Sequence, residues 1–322
     1  MNSPSGVLPL DLPFPPPRNP WNLDHHPGGS SSGSGAGVAA GLFPIALGSD
    51  SGGSVRHPAS ACGITGLKPT YGLVSRDGVA PLSFTADHVG PMARSALDAA
   101  VLLEAIAGYD PRDRGSLAAD EFRFAPQPNV HGLRIGFVRH FHEMELSADP
   151  EVIAALEQAA MVLADQGATI STCTLPTLEE FAGVCRVILS SEVWPLHAEA
   201  LRSQAGAYGQ LSRQRLMAGA FLSASDYVLA QQRRREMIAA VDDAFRNVDV
   251  LLTASALILP CRIDDPRQLA ATHQLQAWTP FNVTGHPAVS VMTGLSRSGL
   301  PLSMQLVGRA FGDGLVLEVA AA

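Results

Sequence analysis

Two serines sit on two glycine-rich turns: Ser30 follows Gly28-Gly29, and Ser54 follows Gly52-Gly53. Glycine lets a backbone turn sharply and brings bare N–H groups together. Such a cluster can stabilise the oxyanion that forms when a nucleophile adds to a carbonyl. In the run SDSGGS, residues 49–54, Ser54 ends the turn and is placed to be that nucleophile. A serine hydroxyl is weak until a base takes its proton. His57 is the nearest histidine, and nothing in the sequence orients it. The alternative base is a lysine held neutral by its surroundings, with Ser30 as the relay hydroxyl. Lys68 is the sole lysine among the 322 residues.

These turns need elements to hold them. The second half of 28–41 carries Ala36, Val38, Ala39 and Ala40 and is predicted to be a helix of very small side chains that packs close to its neighbours. Phe43–Gly48 reads as a short buried strand leading into the Ser54 turn. Ser95 and Asp98 form a Ser-x-x-Asp cap that opens a helix to about Ala107, with Gly108 as its stop. Leu133–Val138 reads as a strand. Asp149-Pro150 then caps a helix whose apolar face is Val152, Ile153, Leu156, Ala159, Ala160 and Leu163. Ala168–Leu175 follows as a strand, so this stretch predicts a βαβ unit with parallel strands. Residues 178–247 read as mainly helical. Arg233, Arg234 and Arg235 point in different directions around a helix and are expected on a solvated face. Asp249–Thr253, Ala288–Met292 and Ser303–Val307 are further strands. The fold class expected is α/β, a mixed twisted sheet flanked by helices.

Composition excludes several functions. The net charge of −8 argues against direct nucleic-acid binding. Cys62, Cys173, Cys185 and Cys261 are scattered without metal-ligand spacing, which predicts reduced cytoplasmic thiols and no metal site. The N-terminal residues lack the pattern of a signal peptide, and the longest apolar runs are too short to span a bilayer, so no membrane partner is expected. Residues 1–17 are dense in proline and read as an extended, disordered leader. A phosphate loop is excluded because no Gly-Lys-Ser/Thr follows the glycines, and Arg56 breaks a Gly-x-Ser-x-Gly elbow at Ser54.

The run GGSSSGSGAGVA at 28–39, followed by AxGxDxGxSVRxPA at 46–59, resembles the amidase signature along its whole length. Further resemblance lies in GLKPTYG (66–72), DHVGPM (87–92), TPFNVTGHP (279–287), GLP (299–301) and QLVGR (305–309), and covers roughly residues 18–322. The resemblance implies hydrolysis of a carboxamide C–N bond, or transfer of its nitrogen, through a serine acyl-enzyme and a Ser–cis-Ser–Lys triad. By motif, Ser54 matches the nucleophile and Ser30 the serine behind a cis Gly29–Ser30 peptide. The backbone N–H groups of Ser51, Gly52, Gly53 and Ser54 match the oxyanion hole, and Asp50 and Arg56 match residues that brace the loop. Ser31 is expected either to hydrogen-bond near the triad or to act as a small packing residue. No metal or organic cofactor is implied.

In such enzymes the catalytic lysine lies many tens of residues before the cis-serine, whereas Lys68 belongs to the GLKPT segment behind the nucleophile. The expectation is therefore an N-terminally incomplete amidase-signature chain, ending at a helix barely begun after Gly314, with impaired turnover. Two alternatives accompany it: a non-catalytic pseudoenzyme or binding subunit, and the glutaminase (A) subunit of a tRNA-dependent amidotransferase. Partners expected are a small amide substrate and either a second copy of the chain or amidotransferase subunits.

Overall fold

The computed structural model describes residues 15–117 and 128–322, so residues 1–14 of the proline-rich leader lie outside the described residues. Eight strands form one mixed sheet. In chain order they are β1 (Ile45–Asp50), β2 (Thr65–Lys68), β3 (His88–Ala93), β4 (Arg134–Phe137), β5 (Thr169–Thr172), β6 (Val250–Ala254), β7 (Ala288–Leu295) and β8 (Pro301–Val307). Their order across the sheet is β1-β3-β2-β7-β8-β6-β4-β5. Pairing is antiparallel from β1 through β8 to β6, and parallel between β6, β4 and β5.

Helices α1 (Ser32–Ala39) and α2 (Arg56–Cys62) flank β1 in the chain. The predicted cap of α3 (Ala96–Ile106) is present: Ser95 Oγ accepts the Asp98 N–H at 3.1 Å. The parallel part of the sheet follows from the βαβ pattern. Asp149 caps helix α4 (Pro150–Asp165) by accepting the Glu151 N–H at 2.8 Å, and Pro150 supplies a first-turn residue that needs no N–H partner. Val152, Leu156, Ala160 and Leu163 recur on one face and are buried. That face packs on β8, β6 and β7, so the helix crosses the sheet between the parallel neighbours β4 and β5.

The helical segment is built from α5 (Leu178–Ser203), α6 (Gln210–Met217) and α7 (Ala224–Ala244). Capping boxes start α5 (Thr177 with Glu180) and α7 (Ser223 with Asp226). The arginine triplet on α7 departs from the expected solvated face. Arg233 is exposed and pairs with Glu180 and Glu236, but Arg234 turns inward. Its Nε donates to Val283 O at 2.6 Å and its Nη2 to Thr85 O at 2.8 Å. Successive helical residues are about 100° apart around the axis, so one of three adjacent arginines meets the body of the protein.

The run before the Ser54 turn also differs from its reading. It forms a strand, but β1 lies at the sheet edge and pairs only with β3, leaving Ile45 39% and Leu47 47% exposed. An apolar run alone does not separate a central from an edge strand. Two short helices, α8 (Pro266–Ala271) and α9 (Thr279–Thr284), precede β7. At the other end, α10 (Asp313–Ala321) runs for nine residues and buries Val316, Leu317 and Val319 against α3 and β7. All four cysteines are free thiols. No described helix is long and apolar enough to cross a membrane.

Candidate active site

The two glycine turns meet at the sheet edge, where α1 and α2 pack on each other. Gly35 permits it: a Cβ there would sit 2.8 Å from Pro58 Cβ. The Ser31 N–H donates to Ser54 O at 3.1 Å, which ties one serine turn to the other. The Gly29–Ser30 peptide is cis. Gly28 has φ +79°, and a Cβ on it would lie 2.5 Å from Pro58 Cα, so glycine is required there on both counts. Ser31 Oγ donates to Ser49 O at 3.3 Å and accepts the Ser49 N–H at 3.2 Å, so it stitches α1 to β1.

Asp50, at the end of β1 and fully buried, organises the Ser54 turn. Its Oδ1 accepts the Gly53 N–H at 2.7 Å, and its Oδ2 accepts the N–H groups of Val55 and Arg56 at 3.2 and 3.4 Å. The Arg56 guanidinium pairs with the same carboxylate through Nε and Nη2, each at 3.0 Å. Arg56 then reaches Trp278 O at 2.8 Å, Gln305 Oε1 at 2.7 Å and Asn282 Oδ1 at 2.5 Å. Burial pushes the Asp50 carboxyl up, but the Arg56 charge, its hydrogen bonds and the Asn282 amide outweigh this and hold it well below the usual carboxylate range. The TPFN and QLVGR segments carry sequence resemblance without a stated role. Here Asn282 and Gln305 complete the brace around Arg56.

Because Asp50 already holds the Gly53 N–H, the turn departs from the four-donor expectation. Among the described residues, the N–H groups of Ser51, Gly52 and Ser54 have no protein acceptor. That leaves three donors available to a developing oxyanion. Ser51 is fixed from the side by its hydroxyl, which donates to Asp87 Oδ1. Asp87 Oδ2 accepts the N–H groups of Leu82 and Ser83 at 2.8 and 2.9 Å. Burial pushes the Asp87 carboxyl up, against these hydrogen bonds.

Two histidines hold the Ser30 turn, of which sequence reasoning singled out only His57. His26 Nδ1 accepts the Gly28 N–H at 3.0 Å, and His57 Nδ1 accepts the Gly29 N–H at 3.2 Å. Both rings are therefore neutral at Nδ1, and His57 is occupied as a support of the turn. It stacks on Trp278 with ring centres 4.7 Å apart, and lies 5.5 Å from His26 and 6.3 Å from His273. Burial pulls His26 down to about 4. Burial, then the neighbouring His26 and His273, pulls His57 well below its ordinary value. Lys68, fully buried on β2, donates from Nζ to Pro69 O at 2.9 Å and to neither serine. Burial, then the Arg56 charge, lowers it well below an ordinary lysine, against the pull of Asp50 and Asp313.

Ser30 and Ser51 line a cavity of about 980 Å³. Ser54 is half-buried and contributes no lining atom to it. Among the described residues, no group of three His, Cys, Asp or Glu side chains can hold a metal ion.

Comparison with known proteins bears on the family and the fold. The family described as Amidase matches residues 11–317. The Glutamyl-tRNA(Gln) amidotransferase (A subunit) of Synechococcus sp. (strain CC9311) is 38% identical over 95% of this chain and 69% of its own length. The crystal structure of its counterpart from Thermotoga maritima aligns with TM-score 0.78 at 34% identity, over 95% of this chain and 68% of the other. A structure from a vestigial protein complex, described as revealing the origins of an s-triazine catabolic enzyme, aligns with TM-score 0.88 at 32% identity, over 98% and 70%. With the sheet, the paired glycine turns and the family match in agreement, the chain belongs to the amidase signature family.

Proposed function

We propose that this site cleaves a carboxamide C–N bond, with Ser54 as nucleophile and Ser30 as the relay hydroxyl, within one amidase-signature unit spanning 18–322. The reading is carried by the joined turns: Ser31 N–H to Ser54 O, and three free N–H groups beside Ser54. Ser54 Oγ adds to the carbonyl carbon while its proton is taken up by Ser30 Oγ and the hydroxyl proton of Ser30 is handed on to the amide nitrogen. The oxyanion is met by the N–H groups of Ser51, Gly52 and Ser54. The C–N bond breaks with the proton going to the leaving amine, and water releases the acyl group.

The base is the weak point of the 322 residues as they stand. Lys68 is committed to Pro69 O, and His57 to the Gly29 N–H. We infer that turnover by this chain is slow, in the range that oxyanion stabilisation alone supports, roughly 10³-fold over water. Hydrolysis of an activated anilide tests this. The expected result is a slow rate that imidazole accelerates and Ser54→Ala abolishes. A fast rate without imidazole would remove the impaired-base reading, and an unchanged rate in Ser54→Ala would remove Ser54 as nucleophile.

A second reading, glutaminase component of an amidotransferase, is favoured by the 38% identity to the amidotransferase chains. It brings partner subunits and a cytoplasmic location with it. Glutamine-dependent ammonia release in the presence of co-purifying subunits is its test. A binding subunit without catalysis is favoured by the commitment of Lys68, and predicts amide binding with no Ser54-dependent hydrolysis.

A further inference from the structure

The cavity beside Ser30 has one feature that separates substrate classes: among the described residues, the charged side chains on its wall are already held by protein partners. Arg76 and Asp113 meet end to end, with Nε to Oδ2 and Nη2 to Oδ1 both at 2.9 Å. Arg76 Nη1 donates to the Tyr71 hydroxyl at 2.8 Å and to Phe84 O at 2.5 Å, and the guanidinium lies over the Tyr71 ring at 4.9 Å. The pair is shielded, with side chains 15% and 10% exposed. Arg112 is shared by Asp110 and Asp77 at 3.0 and 3.1 Å. Asp87 takes its three donors from Ser51, Leu82 and Ser83. His197 Nδ1 is bonded to the Tyr208 hydroxyl at 2.9 Å.

The remaining wall is largely apolar. Val79, Ala80, Pro81, Leu82 and Phe84 form one side, and Ala200, Ala207 and Tyr208 stand on another. Phe84 is 61% exposed, an apolar ring that the fold itself leaves uncovered. Such a wall with few directed polar groups suits a ligand that buries hydrocarbon. A free amino acid brings a carboxylate and an ammonium. Each needs a counter-charge once desolvated, and here that means opening Arg76–Asp113 or the exposed pairs of Arg112.

Resting on the amide-cleaving reading of Ser54, we propose that this cavity takes an uncharged amide bearing a large apolar group, and rejects zwitterions such as glutamine. The Arg76–Asp113 pair is the specificity element: of the two described arginines on the wall, Arg76 is the shielded one and Asp113 neutralises it, whereas Arg112 is 72% exposed.

Binding equilibria test this without requiring turnover. The 322-residue chain is titrated calorimetrically with hexananilide, with adipic acid monoanilide (the same skeleton carrying a terminal carboxylate), and with L-glutamine. Hexananilide is expected to bind at least about tenfold more tightly than either charged ligand. Phe84→Ala, at an exposed position that leaves the core intact, is expected to weaken hexananilide about fivefold. Asp113→Asn removes the counter-charge of Arg76 and is expected to move the preference toward the monoanilide by about tenfold. Glutamine binding as tightly as hexananilide overturns the proposal. So does the absence of binding by all three ligands, or a hexananilide affinity that Phe84→Ala leaves unchanged. Failure of the Ser54 chemistry is seen separately, in hydrolysis, and leaves these equilibria as they are.

Discussion

Replacing Arg56 by Met isolates what the buried pair contributes to the Ser54 turn. Arg56 and Asp50 both have fully buried side chains, so neither charge is screened by water. Removing the guanidinium leaves Asp50 with the Gly53, Val55 and Arg56 N–H groups and the Asn282 amide, but without its counter-charge. Breaking such a pair from one side costs about 3–5 kcal/mol. The cost depends on pH. In the native chain the Asp50 carboxyl is depressed, so its contribution is present above the unfolded carboxylate value and is lost only as pH falls through its low folded value. In Arg56→Met burial dominates, and the carboxyl rises above its unfolded value. The penalty is then largest near about pH 7 and shrinks as pH falls toward about 4, where Asp50 takes up a proton. Urea unfolding at both pH values measures it, and Asp50→Asn/Arg56→Met is expected to be less destabilised than the two single variants summed. A penalty below about 1 kcal/mol at pH 7, or one equal at the two pH values, refutes the assignment of Asp50 as an ionised brace.

Acid should loosen the Ser30 turn through His26. Its folded value of about 4 lies below the unfolded one, so its contribution holds above about pH 6.5 and drains away as pH falls toward 4, by up to roughly 3 kcal/mol. His26→Asn keeps an acceptor for the Gly28 N–H but cannot titrate, and a flatter stability–pH curve is the expected readout. Gly53→Ala is expected to lose more than about 1 kcal/mol in thermal or urea unfolding, because φ is +121° and the new methyl would sit 2.8 Å from Trp278 Cβ.

The glycine turns, the βαβ unit and the helix caps were legible because each is a local pattern. Ser95 with Asp98, and Asp149 with Pro150, specify their helices within a few residues. What was not legible depends on chain that returns from far away. The brace on Arg56 needs Asn282 and Gln305, and the Ser51 hydroxyl needs Asp87. Motif resemblance marked the segments that hold these side chains, but spacing in sequence carries no distance in space. Arg234 shows the same limit. Its neighbours Arg233 and Arg235 are exposed, and only the packing of α7 decides that the middle arginine bonds Val283 and Thr85. The edge position of β1 was likewise invisible, since hydrophobicity reports the strand and not its neighbours.

The Asp50–Arg56 pair is a costly way to stabilise a fold, since a buried ion pair is often no better than well-packed hydrocarbon. Its use here is geometric. One carboxylate gathers the N–H groups of residues 53, 55 and 56, and that grip fixes which way the peptide units between 50 and 54 can face. The N–H groups of Ser51, Gly52 and Ser54 are the ones it leaves out. Hydrocarbon in place of Asp50 would strand three buried donors, each costing about 1–3 kcal/mol, and would give the turn no reason to keep this conformation. Arg56 neutralises the carboxylate and carries the restraint to Trp278, Asn282 and Gln305, so the turn is held by β1, by the segment around 278–282 and by β8 together. A carboxylate at position 50 accepts all three N–H groups and pairs with Arg56 at the same time, which neither a neutral nor an apolar side chain can do.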